Sequence, residues 1–404
     1  MRAALSMAVL GAALALAPSP AGAAQRLETI DLPSTAGNVD LIQSRLNRPA
    51  TTLQANVLLP DGYDAEPGKR WPVFYLLPGV GDTMATWANP KKGNITAVAK
   101  DFPGIIVMPE GGRGYFVDWW RGGKRDGSSW MTYYLDEVVP QIEARYRITP
   151  GRANHAIGGI SMGGYGGMLL SSALPSYFGN AISLSGMLNN QAPNSIYVLP
   201  VDIRSPYTRL WGRPNGPYAT VTNPINLGPE LKHTRLYVYT GNGTVNTKYP
   251  FDFAAWTSGA LAEQEVRTQS LRFAGRVRAA GGTVTYSTHT GVHDWPYWRN
   301  ELPRVLAYNP FGVPPIAETS QATQWRYDTM AGHGNMWGLG FRFDALPLTI
   351  ASFTRDGQQL TATGSGTVTI NPGAADADAS GAGSKPQCSF TATLPFTRTL
   401  PAGC

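Results

Sequence analysis

Six short apolar runs set the terms for the fold: PVFYLL (72–77), GIIVMP (104–109), NHAIGGI (154–160), GNAISLS (179–185), RLYVYTG (235–241) and TVTYSTH (283–289). They are largely continuous rather than alternating and rich in β-branched residues, the texture of strands covered on both faces. The intervening pattern predicts helices over 129–145, 162–174 and 268–280, the last stopped by Gly281 and Gly282. Strand and helix in alternation imply a mostly parallel sheet with helices on both sides, an α/β fold. No internal repeat is visible.

The third run leads directly into AIGGISMGGYGGMLL, from Ala156 to Leu170. Glycines at the start of a helix each cost about 1 kcal/mol relative to alanine, so their concentration here needs a reason. Gly159, Ile160, Ser161, Met162 and Gly163 match G-x-S-x-G, preceded by a strand-like run and followed by a helical one. That context is what a nucleophile elbow requires: Ser161 is held on a strained turn, and bare neighbours let strand and helix approach. The pentapeptide alone would also fit a glycine-rich loop.

A serine hydroxyl needs a neighbouring base, which in this arrangement comes last in chain order. Of five histidines, His155, His233 and His289 belong to or adjoin strands and His333 lies far downstream, leaving His293 in THTGVHDWPYW, just after the final strand-like run. The residue after the nucleophile, Met162, supplies one backbone N–H for an oxyanion. Spacing leaves the third member open, because YTGNGTVN at the end of the preceding strand offers no carboxylate until Asp252. Asp294, beside the histidine, is a poor candidate.

The chain opens Met1-Arg2, runs through small apolar residues from Ala3 to Ala17, and reaches Ala21 and Ala23 in an A-x-A pattern. Residues 1–23 therefore read as a signal peptide, and no other run approaches the roughly 20 residues of a membrane span. The reading is a secreted or cell-envelope protein. Its two cysteines, Cys388 and Cys404, then form a structural disulfide worth about 3 kcal/mol in the chain-entropy view.

After the leader, about 380 residues exceed what one core usually organises. Prolines cluster in NPFGVPPIAE, and beyond it MWGLGFRF, LTIASF and GTVTI are short and separated by turn residues. The expected plan is a catalytic domain over 24–309, a linker over 310–318 and a small all-β domain over 319–404. Within the last, GAADADASGAGS (373–384) reads as a flexible loop. The chain carries a net charge of +6 with no basic run, which argues against nucleic-acid binding and is compatible with an anionic envelope.

VFYLLPGVG, IIVMPEGGRGYFVDWW, IGGISMGGYGG, LWGRPN, LYVYTGNGT and LRFAGRVRAAGG leading to GVHDWPYW occur in order across residues 70–305. Together they resemble the esterase-D-like α/β hydrolases and, within them, the secreted mycolyltransferases. The resemblance implies an α/β-hydrolase fold, an acid at Glu263 with Glu265 and Asp252 as alternatives, and a second oxyanion N–H from Val80. This chain has Pro78 and Gly81 where that family carries a trehalose-holding aspartate and arginine. Trp87, Trp119 and Trp295 are candidates to line an acyl or sugar site.

The reading that follows is a cofactor-free, metal-free serine acyl-transfer enzyme acting on acyl-ester lipids or glycolipids, with cell-wall glycan as a partner of the C-terminal domain. Plain carboxylesterase activity is the alternative, favoured by Pro78 and Gly81. A non-catalytic, carbohydrate-binding envelope protein is the third reading.

Overall fold

A computed structural model of the chain describes residues 24–34, 52–121, 129–250 and 252–404. The expected leader, 1–23, lies outside the described residues.

Eight strands form the main sheet: β1 (Arg26–Pro33), β2 (Thr52–Leu59), β3 (Val73–Leu77), β4 (Ile105–Pro109), β5 (His155–Ile160), β6 (Asn180–Leu184), β7 (Arg235–Gly241) and β8 (Val284–His289). Their order is β1-β2-β4-β3-β5-β6-β7-β8, parallel from β4 to β8 and antiparallel at β1 and β2. In β3, Val73, Tyr75 and Leu77 enter one hydrophobic core and Phe74 and Leu76 the other, which is why the strand is apolar throughout.

Helices α1 (Met162–Ala173), α2 (Pro193–Ile203), α3 (Ala260–Ala279) and α4 (Trp295–Ala307) follow strands, and the turns Trp130–Thr132, Tyr133–Val138 and Val139–Arg145 make a further helical segment. Among the described residues no helix is long and apolar enough to cross a membrane.

Three features depart from the sequence-based expectation. The antiparallel β1–β2 pair extends the sheet beyond the six runs. β8 is an edge strand, half exposed along its length, because it has a neighbour on one side only. α3 starts eight residues before the expected helix, because its inward-facing positions include polar residues: Glu263, Val266, Ser270, Phe273 and Val277 recur at three- and four-residue spacing on its buried face.

The C-terminal region is antiparallel: β9 (Gln324–Thr329), β10 (His333–Met336), β11 (Leu339–Phe343), β12 (Ala351–Asp356), β13 (Gln359–Thr363), β14 (Thr367–Pro372), β15 (Phe390–Thr393) and β16 (Phe396–Thr399). They form two four-stranded sheets, β10-β11-β14-β15 and β16-β13-β12-β9, enclosing Phe341, Phe353, Leu360 and Ile370. Cys388 and Cys404 are disulfide-bonded, with Cα atoms 5.9 Å apart.

The stretch 373–384, expected to be flexible, is docked. Asn335 Nδ2 donates to the carbonyls of Ala375 and Asp378, Ser176 Oγ donates to Asp376 O, and Ala379 is buried in the main core. Its small residues permit this: a Cβ on Gly381 would lie 2.3 Å from Phe341 O.

Arg152 ties the two regions together. Fully buried, it donates to the carbonyls of Pro175, Phe178, His233 and Ile316, and its guanidinium lies 4.4 Å over the Trp337 ring. Burial pushes its pKa down to about 9, so it remains charged at neutral pH.

Candidate active site

Ser161 follows directly on β5 and caps α1 with φ 51° and ψ −115°, a conformation that costs a non-glycine residue about 1–3 kcal/mol. The surrounding sheet enforces it: Ser161 N–H donates to Leu184 O, and the first turn of α1 closes on Ser161 O through Gly164 and Tyr165. The flanking glycines are required by close approach. A Cβ on Gly159 would stand 2.1 Å from the Leu77 carbonyl oxygen, and one on Gly163 2.6 Å from the same atom.

His293 sits in the loop between β8 and α4, where its backbone N–H donates to Gly259 O. Its Nε2 is 2.9 Å from Ser161 Oγ, and its Nδ1 is 2.9 Å from Glu263 Oε2. Glu263, in the first turn of α3, has no solvent exposure, and its Oε1 accepts from Ser185 Oγ at 2.7 Å and from Gly241 N–H. An ionised carboxylate only accepts, so Nδ1 carries the imidazole proton and Nε2 is left to accept from the serine hydroxyl. Trp298 braces the imidazole edge-on at 4.9 Å and donates Nε1–H to Ser185 Oγ.

The other acids are engaged elsewhere. Glu265 accepts from Asn194 and Gln269, Asp252 from Ala255 N–H, and Asp294 from Trp295 N–H as the cap of α4. Burial pushes the carboxyl of Asp202, at the end of α2, above the usual range, with His293 and then Arg113 pulling it down.

Met162 N–H belongs to the first turn of α1, where backbone donors have no intrahelical acceptor. The Val80 turn lies beside it: a Cβ on Gly163 would also be 2.8 Å from Pro78 O. That turn's own hydrogen bonds use Gly81 and Asp82 N–H, not Val80. Gly81 faces Arg113, whose Nη2 would lie 2.5 Å from any Cβ added there.

The three tryptophans expected to line an acyl or sugar site are largely buried. Trp87 is fully buried, donates to Leu77 O and packs edge-on against Trp295 at 5.0 Å, and Trp119 is itself core. Trp87 and Trp295 share one core cluster and Trp119 lies in the other, and none of the three is more than 9% exposed. Ser185, which holds Glu263, lies 78 residues from it and carries no motif, and Trp298, though it ends the GVHDWPYW stretch, gives no sign in sequence that it braces His293 and Ser185. Among the described residues no group of three or more His, Cys, Asp or Glu could hold a metal ion.

A family model described as "Putative esterase" matches residues 46–308. Diacylglycerol acyltransferase/mycolyltransferase Ag85C of Mycobacterium avium is 29% identical over 212 residues, 49% of this chain and 58% of that protein. Ag85B of Mycobacterium intracellulare, which bears the same description, is 31% identical over 211 residues, 49% of this chain and 62% of that protein. The chain thus spans about three-fifths of the length of these curated relatives. Among solved structures, Mycobacterium tuberculosis MPT51 matches 70% of this chain and 98% of its own at a TM-score of 0.55 and 20% identity. Fluorophosphonate-binding serine hydrolase F of Staphylococcus aureus matches 71% and 98% at 0.54 and 17%. At these identities the two structures speak to fold alone, and their α/β-hydrolase architecture is the one seen here.

Proposed function

The chain belongs to the Esterase family, and from that premise we propose that it is an exported serine acyl-transfer enzyme working through a covalent acyl-enzyme on ester-linked acyl groups of envelope lipids or glycolipids. The observation that carries this reading is the continuous relay from Ser161 through His293 to the buried Glu263. Ser161 Oγ attacks the ester carbonyl while His293 Nε2 takes its proton, and Glu263 stabilises the resulting imidazolium. The N–H groups of Val80 and Met162 hold the oxyanion, a role in which each donor is typically worth about 10²–10³ in rate. Collapse expels the alcohol, which leaves with the proton from His293. An incoming alcohol or water, deprotonated by His293, then releases the acyl group and restores Ser161.

The names of the mycobacterial relatives favour an alcohol as acceptor. Hydrolysis is the second reading, favoured by the turn at Pro78 and Gly81, which offers no polar side chain at the two positions where the resembling family grips its sugar. The test is to treat the full chain and Ser161→Ala with a fluorophosphonate probe, then to follow p-nitrophenyl butyrate with and without an added polyol. Labelling and turnover confined to the Ser161 protein are expected, and acyl-polyol product separates transferase from hydrolase. A labelled or active Ser161→Ala protein would overturn the assignment.

A further inference from the structure

A second cavity, of about 500 Å³, lies between the main sheet's helices and the C-terminal strands. One wall is the far end of α1, at Leu169, Ser172 and Ala173. With a rise of 1.5 Å per residue, these positions stand roughly 12–18 Å along the helix from Ser161, so this space is separate from the relay. The opposite wall is β9 and the chain after it, and so comes from residues beyond the 46–308 matched by the family model. The cavity is thus walled on one side by residues within the family match and on the other by residues beyond it.

Its lining is mainly apolar, from Met131, Leu135, Val221 and Met330 among others. Its lip carries Leu346 and Leu348, 50% and 84% exposed. Glu230, 3% exposed, also lines it, and Oε2 of that side chain is buried with no hydrogen-bond partner among the described residues. A buried polar atom left unmatched costs about 1–3 kcal/mol, so a bound partner would be favoured. Burial pushes the Glu230 carboxyl up to about 8, leaving it protonated and uncharged at neutral pH, able to donate to an oxygen.

The remaining charges select the head group. Asp118, Asp136 and Asp328 line the space with Arg121 and His333; Asp136 is paired with His333 at 2.7 Å, Asp328 with Arg326 at 2.8 Å, and Asp118 accepts from Thr132. An anionic head at Glu230 would lie beside Asp328, and among the described lining residues the cationic side chains are Arg121 and His333, the latter already paired with Asp136. A neutral hydroxyl or ester carries no charge for Asp328 to repel.

We propose that this cavity binds an uncharged acyl lipid bearing a hydroxyl or ester group, its chain against the apolar wall and its polar group at Glu230. This assigns the C-terminal region a lipid-holding role distinct from glycan binding, and it does not depend on Ser161 chemistry.

The test uses the full chain carrying Ser161→Ala, so that lipid is not consumed, with radiolabelled monoolein and oleate as probes in equilibrium dialysis at pH 7. One saturable monoolein site is expected, with oleate at least about ten-fold weaker. Leu348→Asp, at an exposed lip where folding is not at stake, and Glu230→Gln should each weaken monoolein about ten-fold. In the Ser161 background both variants should keep p-nitrophenyl butyrate turnover within about two-fold, and fluorophosphonate-blocked protein should still bind monoolein. Absence of saturable binding, oleate binding as tight as monoolein, or binding indifferent to Leu348→Asp and abolished by the fluorophosphonate would overturn the proposal.

Discussion

Replacing Glu263 by glutamine preserves shape and tests the relay at its buried end. Both carboxylate oxygens accept hydrogen bonds in the structure, Oε1 from Ser185 Oγ and Gly241 N–H, Oε2 from His293 Nδ1. Glutamine has one acceptor oxygen. The Gly241 N–H cannot rotate away, whereas the Ser185 hydroxyl can, so the amide oxygen stays at Gly241 and the NH₂ turns to His293. Nδ1 must then accept, its proton moves to Nε2, and Ser161 faces a donor instead of a base. The corresponding substitution in a serine protease triad lowers kcat by about 10⁴, equivalent to about 5.4 kcal/mol at 1.36 per tenfold. The assay is p-nitrophenyl butyrate turnover beside a thermal melt, with Glu265→Gln and Asp252→Asn as comparators whose hydrogen bonds lie elsewhere. A Glu263→Gln protein keeping more than about one-tenth of wild-type kcat would refute the tautomer argument. So would a comparable loss in Asp252→Asn.

Glu230 makes stability depend on pH. Its folded pKa of about 8 lies above the ordinary 4.5, so the unfolded chain binds fewer protons between those values. The contribution is complete below about pH 4.5 and is lost as pH rises through 8, at about 1.4 kcal/mol per unit. Urea unfolding at pH 5 and pH 7 should show that decline in the wild type and not in Glu230→Gln; equal slopes would contradict it. Arg152→Met keeps the stem but leaves the carbonyls of Pro175, Phe178, His233 and Ile316 without their donor, and should destabilise the chain by about 3 kcal/mol or more. An unchanged urea midpoint would mean that water replaces the guanidinium.

The inner parallel strands were legible because each is buried on both faces, so its apolar run is written locally, and the elbow was legible because glycines flank a serine where strand and helix nearly touch. The short, turn-separated strand texture after residue 310 likewise announced an all-β region. Features that depend on what lies across space were not legible. Glu263, Glu265 and Asp252 sit within one short stretch, and the choice among them is made by which turn of α3 faces inward and by Ser185 and Gly241 arriving from two other strands. The tryptophans near the motifs look like ligand-facing rings until packing buries Trp87 against Trp295. The small, acidic stretch 373–384 has the composition of a loose loop and is held down by side chains distant in sequence, Asn335, Ser176 and Thr319 among them. Glu230 is an unremarkable acid in sequence, and its proton affinity follows from the C-terminal strands that close over it. Periodicity reports how one element is buried, because neighbours along the chain share that environment. Pairings between residues dozens of positions apart are decided by how the elements pack, and only the tertiary structure contains them.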